Sequence, residues 1–373
     1  MNRTIANNYD PAERRLILQV EKAYLYRPES EWTYSHHPSL THFRERFYTI
    51  WSNGRVDEDA PGQRVLLSTS SNFVDWSDPV PLVDSMPGQN SELVLTAAGF
   101  HQYGGGLVAY VGQYECAASS LALGGRTGND CEHERTTLGA LTTGDGSAWD
   151  PLVDLGLPIV PNHPPQATRS GRLIISGNIS FPYSDEPDGL SGWRMSGIYP
   201  ADMVDVYDDS KGFWKVKERA GWPVGLCEGS FYQTDDGVLH MPLRSGTPWL
   251  WASESSDDGR TWSRPQPTRF SDNVTKFHFG RLADGRFYYV GCPDPEPRGG
   301  RSPLVLSLSR DGLSFDRHYI LAADEPYEQK RAGLHKGGLY GYPHTMVHDG
   351  MLCVIVSLRK EAVAVMRVPL SAI

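Results

Sequence analysis

Ser255-Ser256-Asp257-Asp258-Gly259-Arg260-Thr261-Trp262 reads S-x-D-x-G-x-T-W, and every fixed position in it has a turn-building task. The aspartate accepts backbone amides of the turn, the glycine takes a φ above zero, and the aromatic ring tucks between neighbouring units. Degenerate copies stand at Ser70-Ser71-Asn72 with Trp76, at Thr143-Gly144-Asp145-Gly146 with Trp149, and at Ser309-Arg310-Asp311-Gly312 with Phe315. A turn recurring at wide intervals marks a repeated supersecondary unit. These turns are structural and carry no chemistry.

Outward from each turn the apolar segments are short, rich in Val, Ile, Leu, Phe and Tyr, and bounded by Gly, Asp, Asn or Pro. That is the signature of strands. One hairpin recurs: 39–43 with 47–51, 92–96 with 107–111, 166–167 with 173–175, 230–232 with 238–241, 277–279 with 286–290, and 344–346 with 351–356. Six copies about 50–70 residues apart predict an all-β chain, a single β-propeller of four-stranded blades over residues 1–373. Ala362–Leu370 continues the last blade, and Leu16–Val20 is the expected outer strand that closes the ring and covers its edge.

Of the 373 residues, 35 are basic and 45 acidic, a formal net charge of −10, which argues against nucleic acid as a partner. The first eight residues are polar with no apolar stretch behind them, and no membrane span follows. The expected location is therefore the cytoplasm, or outside it if a leader has been trimmed. Five widely spaced cysteines with no C-x-x-C pair are expected to be reduced thiols. Gly104-Gly105-Gly106 reads as a hairpin turn rather than a phosphate loop. No nucleotide, redox cofactor or catalytic metal is called for; a structural divalent cation stays open.

In a propeller the inner strands start, and the second strands end, on one face. The starts contribute His36, His37, Asn90, Asn162, His163, Glu228, His278, Tyr342 and His344. The ends contribute Asn53, Tyr114, Glu115, Asn178, Arg244, Arg359 and Lys360. One face is thus rich in groups suited to binding and proton transfer, whereas His42, His240 and His348 fall where a structural role is expected.

The eight-residue turn matches the Asp box of sialidase-like propellers. Tyr34–Leu40, Trp51–Gly54, Glu58–Val65, Tyr342-Pro343-His344 and Ser357–Glu361 resemble the carbohydrate-active propellers that include ulvan lyases and rhamnose–glucuronate lyases. That resemblance implies seven blades, one more than the turns count, and a catalytic histidine at His36 or His37. Neighbours on a strand point opposite ways, so one ring of the pair is expected to face the site. The expected activity is that of an exo-acting rhamnose–glucuronate lyase, and its β-elimination on a glucuronate-containing glycan needs a base, which histidine suits. It needs a cation on the carboxylate, for which Arg244 or Arg359 is expected. It also needs an acid, Tyr114 or the second histidine. Asn53, His163, Asn178, Glu228, His278, Tyr342 and His344 complete the expected binding set for an acidic oligosaccharide or polysaccharide.

A glycoside hydrolase on the same glycan needs two carboxylates, with Glu115, Glu228, Asp57, Glu58 and Asp59 available. A sialidase shows three arginines, an acidic aspartate and a Tyr–Glu nucleophile. The N-terminal arginine of that set has no counterpart beside the first inner strand, which makes this the weaker expectation. A non-catalytic glycan-binding propeller is the alternative of another class.

Overall fold

Each box turn closes as its side chains dictate. Asp257 accepts the Thr261 amide at 2.9 Å and the Thr261 hydroxyl at 2.6 Å, while Ser255 Oγ accepts the Gly259 amide at 2.8 Å. Asn72, Asp145 and Asp311 hold their own turns in the same way. The computed structural model describes residues 4–122, 133–161, 163–199, 209–223, 225–323 and 325–373.

Between these turns the described residues form six blades in five sheets, blades 4 and 5 sharing one. Blade 1 is Tyr34–Phe43, Arg46–Gly54, Arg64–Ser70 and Val80–Val83, and blade 2 is Val94–Tyr103, Gly106–Cys116, His133–Thr143 and Val153–Asp154. Blade 3 is small: Gln166–Ala167, Leu173–Ile174 and Tyr183–Ser184, with Arg194 bridging Tyr183. Blade 4 runs through Cys227–Gly229, Tyr232–Gln233, Leu239–Arg244, Trp249–Ser255 and Gln266–Ser271. Blade 5 is His278–Arg281, Phe287–Gly291, Leu304–Ser309 and Ser314–Ala322; blade 6 is Tyr340–His348, Met351–Leu358 and Ala362–Pro369. The described residues make the six blades counted from the turns, not the seven implied by resemblance.

Closure differs from expectation by a few residues. The outer strand of blade 6 is Glu21–Tyr26, antiparallel to Ala362–Pro369, rather than Leu16–Val20. Leu25 and Tyr26 turn into the core, whereas Leu16 and Ile17 stay exposed and Ile17 only bridges Ile320 of blade 5. Ala6–Asn7 ties the outer strands of blades 4 and 5 together by parallel pairing.

The inner hairpins turn tightly. Arg44 and Glu45 (φ 46° and 57°) and Asp349 and Gly350 (φ 45° and 72°) both have two left-handed central residues, the geometry that matches strand twist. Between blades lie fully buried aromatic and aliphatic side chains, such as Trp51, Tyr110, Phe270 and Tyr289. Two α-helices depart from the all-strand expectation: the short Ala118–Ala122 after the second strand of blade 2, and Asp209–Ala220 in the connection from blade 3 to blade 4. At most about three turns give too short a period to stand out in the sequence. No disulfide joins the described cysteines, of which Cys116, Cys292 and Cys353 are buried; Cys131 lies outside the described residues. Among the described residues no helix is long and apolar enough to cross a membrane.

Candidate active site

The inner strand of blade 1 begins irregularly. His36 pairs with Ser52, but the next pair is Ser39 with Ile50, and His37 takes φ 51°. The bulge turns both rings to one side, against the expectation from strand alternation. His36 and His37 lie 4.7 Å apart by ring centroid, and 3.9 and 5.2 Å from the Tyr342 ring. Their Nε2 atoms are 3.7 and 3.8 Å from Glu58 Oε1.

Glu58 itself is held by Lys360, whose Nζ lies 2.5 Å from Oε2. Burial works to raise the Glu58 pKa, but the ammonium of Lys360 overrides it and holds the carboxylate near 2. The histidines go the other way. Burial lowers His36 well below the ordinary range and takes His37 to about 4, so both are neutral.

Blades 4 and 6 meet at a second centre. The Tyr342 hydroxyl donates to Glu228 Oε1. Arg244 Nη1 donates to Glu228 Oε2 at 2.6 Å and reaches the Tyr342 oxygen at 3.2 Å. Burial and the neighbouring Glu228 charge push the phenol well above its usual value. Burial also opposes ionisation of Glu228, but Arg244 and the Tyr342 hydroxyl outweigh it and hold its pKa down.

Asp59, next to Glu58, receives the Tyr114 hydroxyl, and the Tyr114 ring stacks on His133 at 4.2 Å. Burial first, then the Glu58 charge, push Asp59 up to about 7. Two further cations complete the group. Arg301 is 8% exposed, with Nε and Nη1 lacking partners among the described residues. Lys276 is 4% exposed and forms no ion pair among the described residues. Burial lowers its pKa to about 7, with Glu228 opposing.

Backbone strain gathers here. His37, Asp59, Glu228, Arg301, Tyr342 and Lys360 all take φ between 51° and 59° without being glycine. Such conformations cost about 1–3 kcal/mol each and persist where the surroundings over-determine them, commonly at functional sites.

One layer deeper, His163, His278 and His344 bring a ring nitrogen each within 4.8 Å of one another.

Several expected residues are used otherwise. Asn53 donates to the Tyr34 carbonyl at 3.0 Å and accepts from Arg64 at 2.9 Å, so it is a satisfied buried amide rather than a free binding group. Arg359 turns away: its Nε donates to the Tyr327 carbonyl at 3.1 Å, and the following Lys360 takes the inward direction instead. Asn90 and Glu115 bond within blade 2. Asn178 sits half-buried in the turn closed by the Gly177 amide on the Ser180 carbonyl. Asn162 lies outside the described residues. The sequence reading did not include Lys276 or Arg301; Lys276 stands two residues before the inner strand His278–Arg281, at the blade end that already supplied His278.

The arrangement contains a hydrogen-bonded phenol–carboxylate pair, a carboxyl group titrating near neutrality, and four cations (Arg244, Arg301, Lys276, Lys360). This set suits covalent attack on, and proton delivery to, an anionic sugar.

Comparisons agree with the architecture. No curated protein matches the chain. Among solved structures, Trypanosoma rangeli sialidase superposes with a TM-score of 0.65 at 12% identity, over 94% of this chain and 60% of that one. A Dyadobacter fermentans protein of unknown function gives 0.64 at 12%, over 96% and 100%. The intramolecular trans-sialidase of Ruminococcus gnavus, bound to oseltamivir carboxylate, gives 0.62 at 11%, over 93% and 97%. The chain spans about 60% of the T. rangeli enzyme's length, and likeness at these identities is one of fold. The model of the BNR repeat-like domain matches residues 45–354, and the chain belongs to that family.

Proposed function

We propose that the protein is a retaining glycoside hydrolase acting on a terminal sugar that carries an acidic group. The observation that carries this reading is the Tyr342–Glu228 hydrogen bond, a buried phenol in contact with its own base. Tyr342 Oη attacks the anomeric carbon while Glu228 takes the phenolic proton and Asp59 protonates the departing oxygen. In the second step the Asp59 carboxylate deprotonates water, water displaces the tyrosyl oxygen at the anomeric carbon, and Glu228 returns its proton to Tyr342. A neutral phenol approaches a sugar that bears a carboxylate without charge repulsion. Arg301, whose buried Nε and Nη1 lack partners among the described residues, and Lys276 are the cations for that carboxylate.

Elimination would need His36 or His37 as the base, and burial holds both rings neutral. Elimination on a rhamnose–glucuronate glycan remains the second reading, since His36 and His37 both face Tyr342.

The test is a panel of aryl glycosides of N-acetylneuraminic and glucuronic acids, with acidic oligosaccharides alongside. Release of a saturated sugar supports hydrolysis. A rise in near-ultraviolet absorbance from a C4–C5 double bond supports elimination, and neither signal leaves a binding propeller. Arg301→Met should raise KM for acidic substrates far more than for their neutral esters; equal effects would remove the carboxylate role.

A further inference from the structure

The connection from blade 5 to blade 6 carries the segment 328–337, and two buried carboxylates hold it on the face where the inner strands start. Glu361 accepts the Lys330 amide at 2.6 Å and the Arg331 amide at 2.7 Å, and Lys336 Nζ reaches it at 3.2 Å. Asp57 accepts the Leu334 amide at 2.5 Å. A Cβ on Gly333 would lie 2.9 Å from Asp57 Oδ2, so glycine lets the loop close this tightly. The side chains of Lys336 and Glu361 are both 0% exposed. A wholly buried ion pair adds little net stability, so its value here lies in placing the loop.

Asp57 and Glu361 are the chain neighbours of Glu58 and Lys360, so the loop is clamped beside the charge pair that faces the two histidines. Next to the clamp lies a cavity of about 710 Å³, a size that suits a small ligand, lined by Ser30, Glu31, Thr33, Arg55, Val56 and Arg331 among others. Val56 and Glu58 are two residues apart, which puts their Cα atoms within about 7 Å, the reach of one sugar ring. Arg55 is already committed: Glu92 binds it through two hydrogen bonds of 2.8 and 3.3 Å, and Glu31 adds a further negative charge. Arg331 differs. Its amide is held by Glu361 and its carbonyl accepts from Gln329 at 3.1 Å, yet its guanidinium has no ion pair or hydrogen bond among the described residues. A cation with a fixed backbone and an uncommitted head is preorganised for an anion. Ser30 and Glu31 supply acceptors for hydroxyl groups beside it.

We propose that this cavity is the subsite for the sugar linked to the one at Tyr342, and that Arg331 there selects a second sugar that also carries a carboxylate. The proposal rests on reading this face as the sugar-binding one, and it adds the neighbouring subsite. Glycans with two adjacent acidic sugars are then preferred over those in which an acidic sugar caps a neutral one.

The test is calorimetric binding to the full chain in a Tyr342→Phe background, which keeps turnover from consuming the probe. The probes are α2,8-linked di-N-acetylneuraminic acid against 3′-sialyllactose, and β1,4-linked diglucuronic acid against glucuronyl-glucose. In at least one pair the diacid should bind roughly tenfold more tightly, the gain of one charge-assisted carboxylate contact. Arg331→Met should abolish that preference and leave the affinity for the monoacid unchanged. Leu334→Ala, on the same loop and 65% exposed, should keep it. Three results overturn the subsite and leave hydrolysis at Tyr342 untouched: equal binding within each pair, a preference that survives in Arg331→Met, or its loss in Leu334→Ala as well. A preference lost only in Arg331→Met, in a protein whose unmutated form releases no sugar, retains the subsite and sinks the hydrolase reading. Binding of no probe overturns the subsite, and release from the aryl glycosides then decides the hydrolase reading by itself.

Discussion

The hydroxyl of Tyr342 donates to the carboxylate of Glu228 across 114 residues of chain, from the first strand of blade 6 to that of blade 4. Both residues stand in left-handed backbone, φ 51° and 54°, which aims the side chains at one another. If this pair is the nucleophile and its base, Tyr342→Phe and Glu228→Gln should each lower kcat by roughly a thousandfold or more. The double variant should be little worse than either single one, because the two act as a unit. Steady-state kinetics with circular dichroism as a fold check decides this, and near-normal kcat in Tyr342→Phe refutes it.

The pH profile should fall on its alkaline side near 7. Asp59 must be protonated to act as an acid, and burial with the Glu58 charge holds its pKa at about 7, so activity is present below that pH and lost above it. Glu228 must be ionised, and its lowered pKa places the acidic limb below the ordinary glutamate range. Lys276 also titrates near 7, and Lys276→Arg separates the two groups. An alkaline limb that persists in Lys276→Arg assigns it to Asp59; one that moves up by a unit or more assigns it to the lysine.

The Glu58–Lys360 pair is almost wholly buried, with a 2.5 Å contact. Removing one partner strands the other charge, so Lys360→Met should cost about 3–5 kcal/mol in denaturant unfolding. Adding Glu58→Gln should recover most of that loss. Additive losses in the double variant would show that the two charges do not depend on each other.

Gly259 of the full turn motif takes φ 82°, and a Cβ there would run into Ile174 of blade 3. Gly259→Ala should therefore destabilise the protein by about 1–3 kcal/mol while leaving KM unchanged. Gly237, also left-handed but with open space around it, serves as the control and should lose less. Equal losses would mean that backbone strain, not contact between blades, sets the cost.

The blades were legible because box turns and hairpins are local: Asp257, Asn72, Asp145 and Asp311 bond amides two to four residues away. The axis was legible in part, since strand starts and ends share a face; His36, His37, Glu228, Arg244 and Tyr342 do meet. What escaped depends on local backbone irregularity. Strand alternation predicts one inward histidine, but the bulge before Ser39 turns in two. The same alternation cannot tell Arg359 from Lys360, because both take positive φ and only the packing of Tyr327 sends the arginine away. Arg301 precedes its strand on a loop, Gly291 to Leu304, with no period to mark it.

The central claim is that Tyr342 becomes covalently attached to the sugar. A 2,3-difluorinated sugar acid, as an N-acetylneuraminic or glucuronic derivative, would slow the second step, and peptide mass spectrometry would locate the adduct. The expected result is a single sugar on Tyr342, absent from Glu228→Gln. Turnover of an acidic glycan with no adduct on Tyr342, undiminished in Tyr342→Phe and accompanied by an unsaturated product, would contradict it.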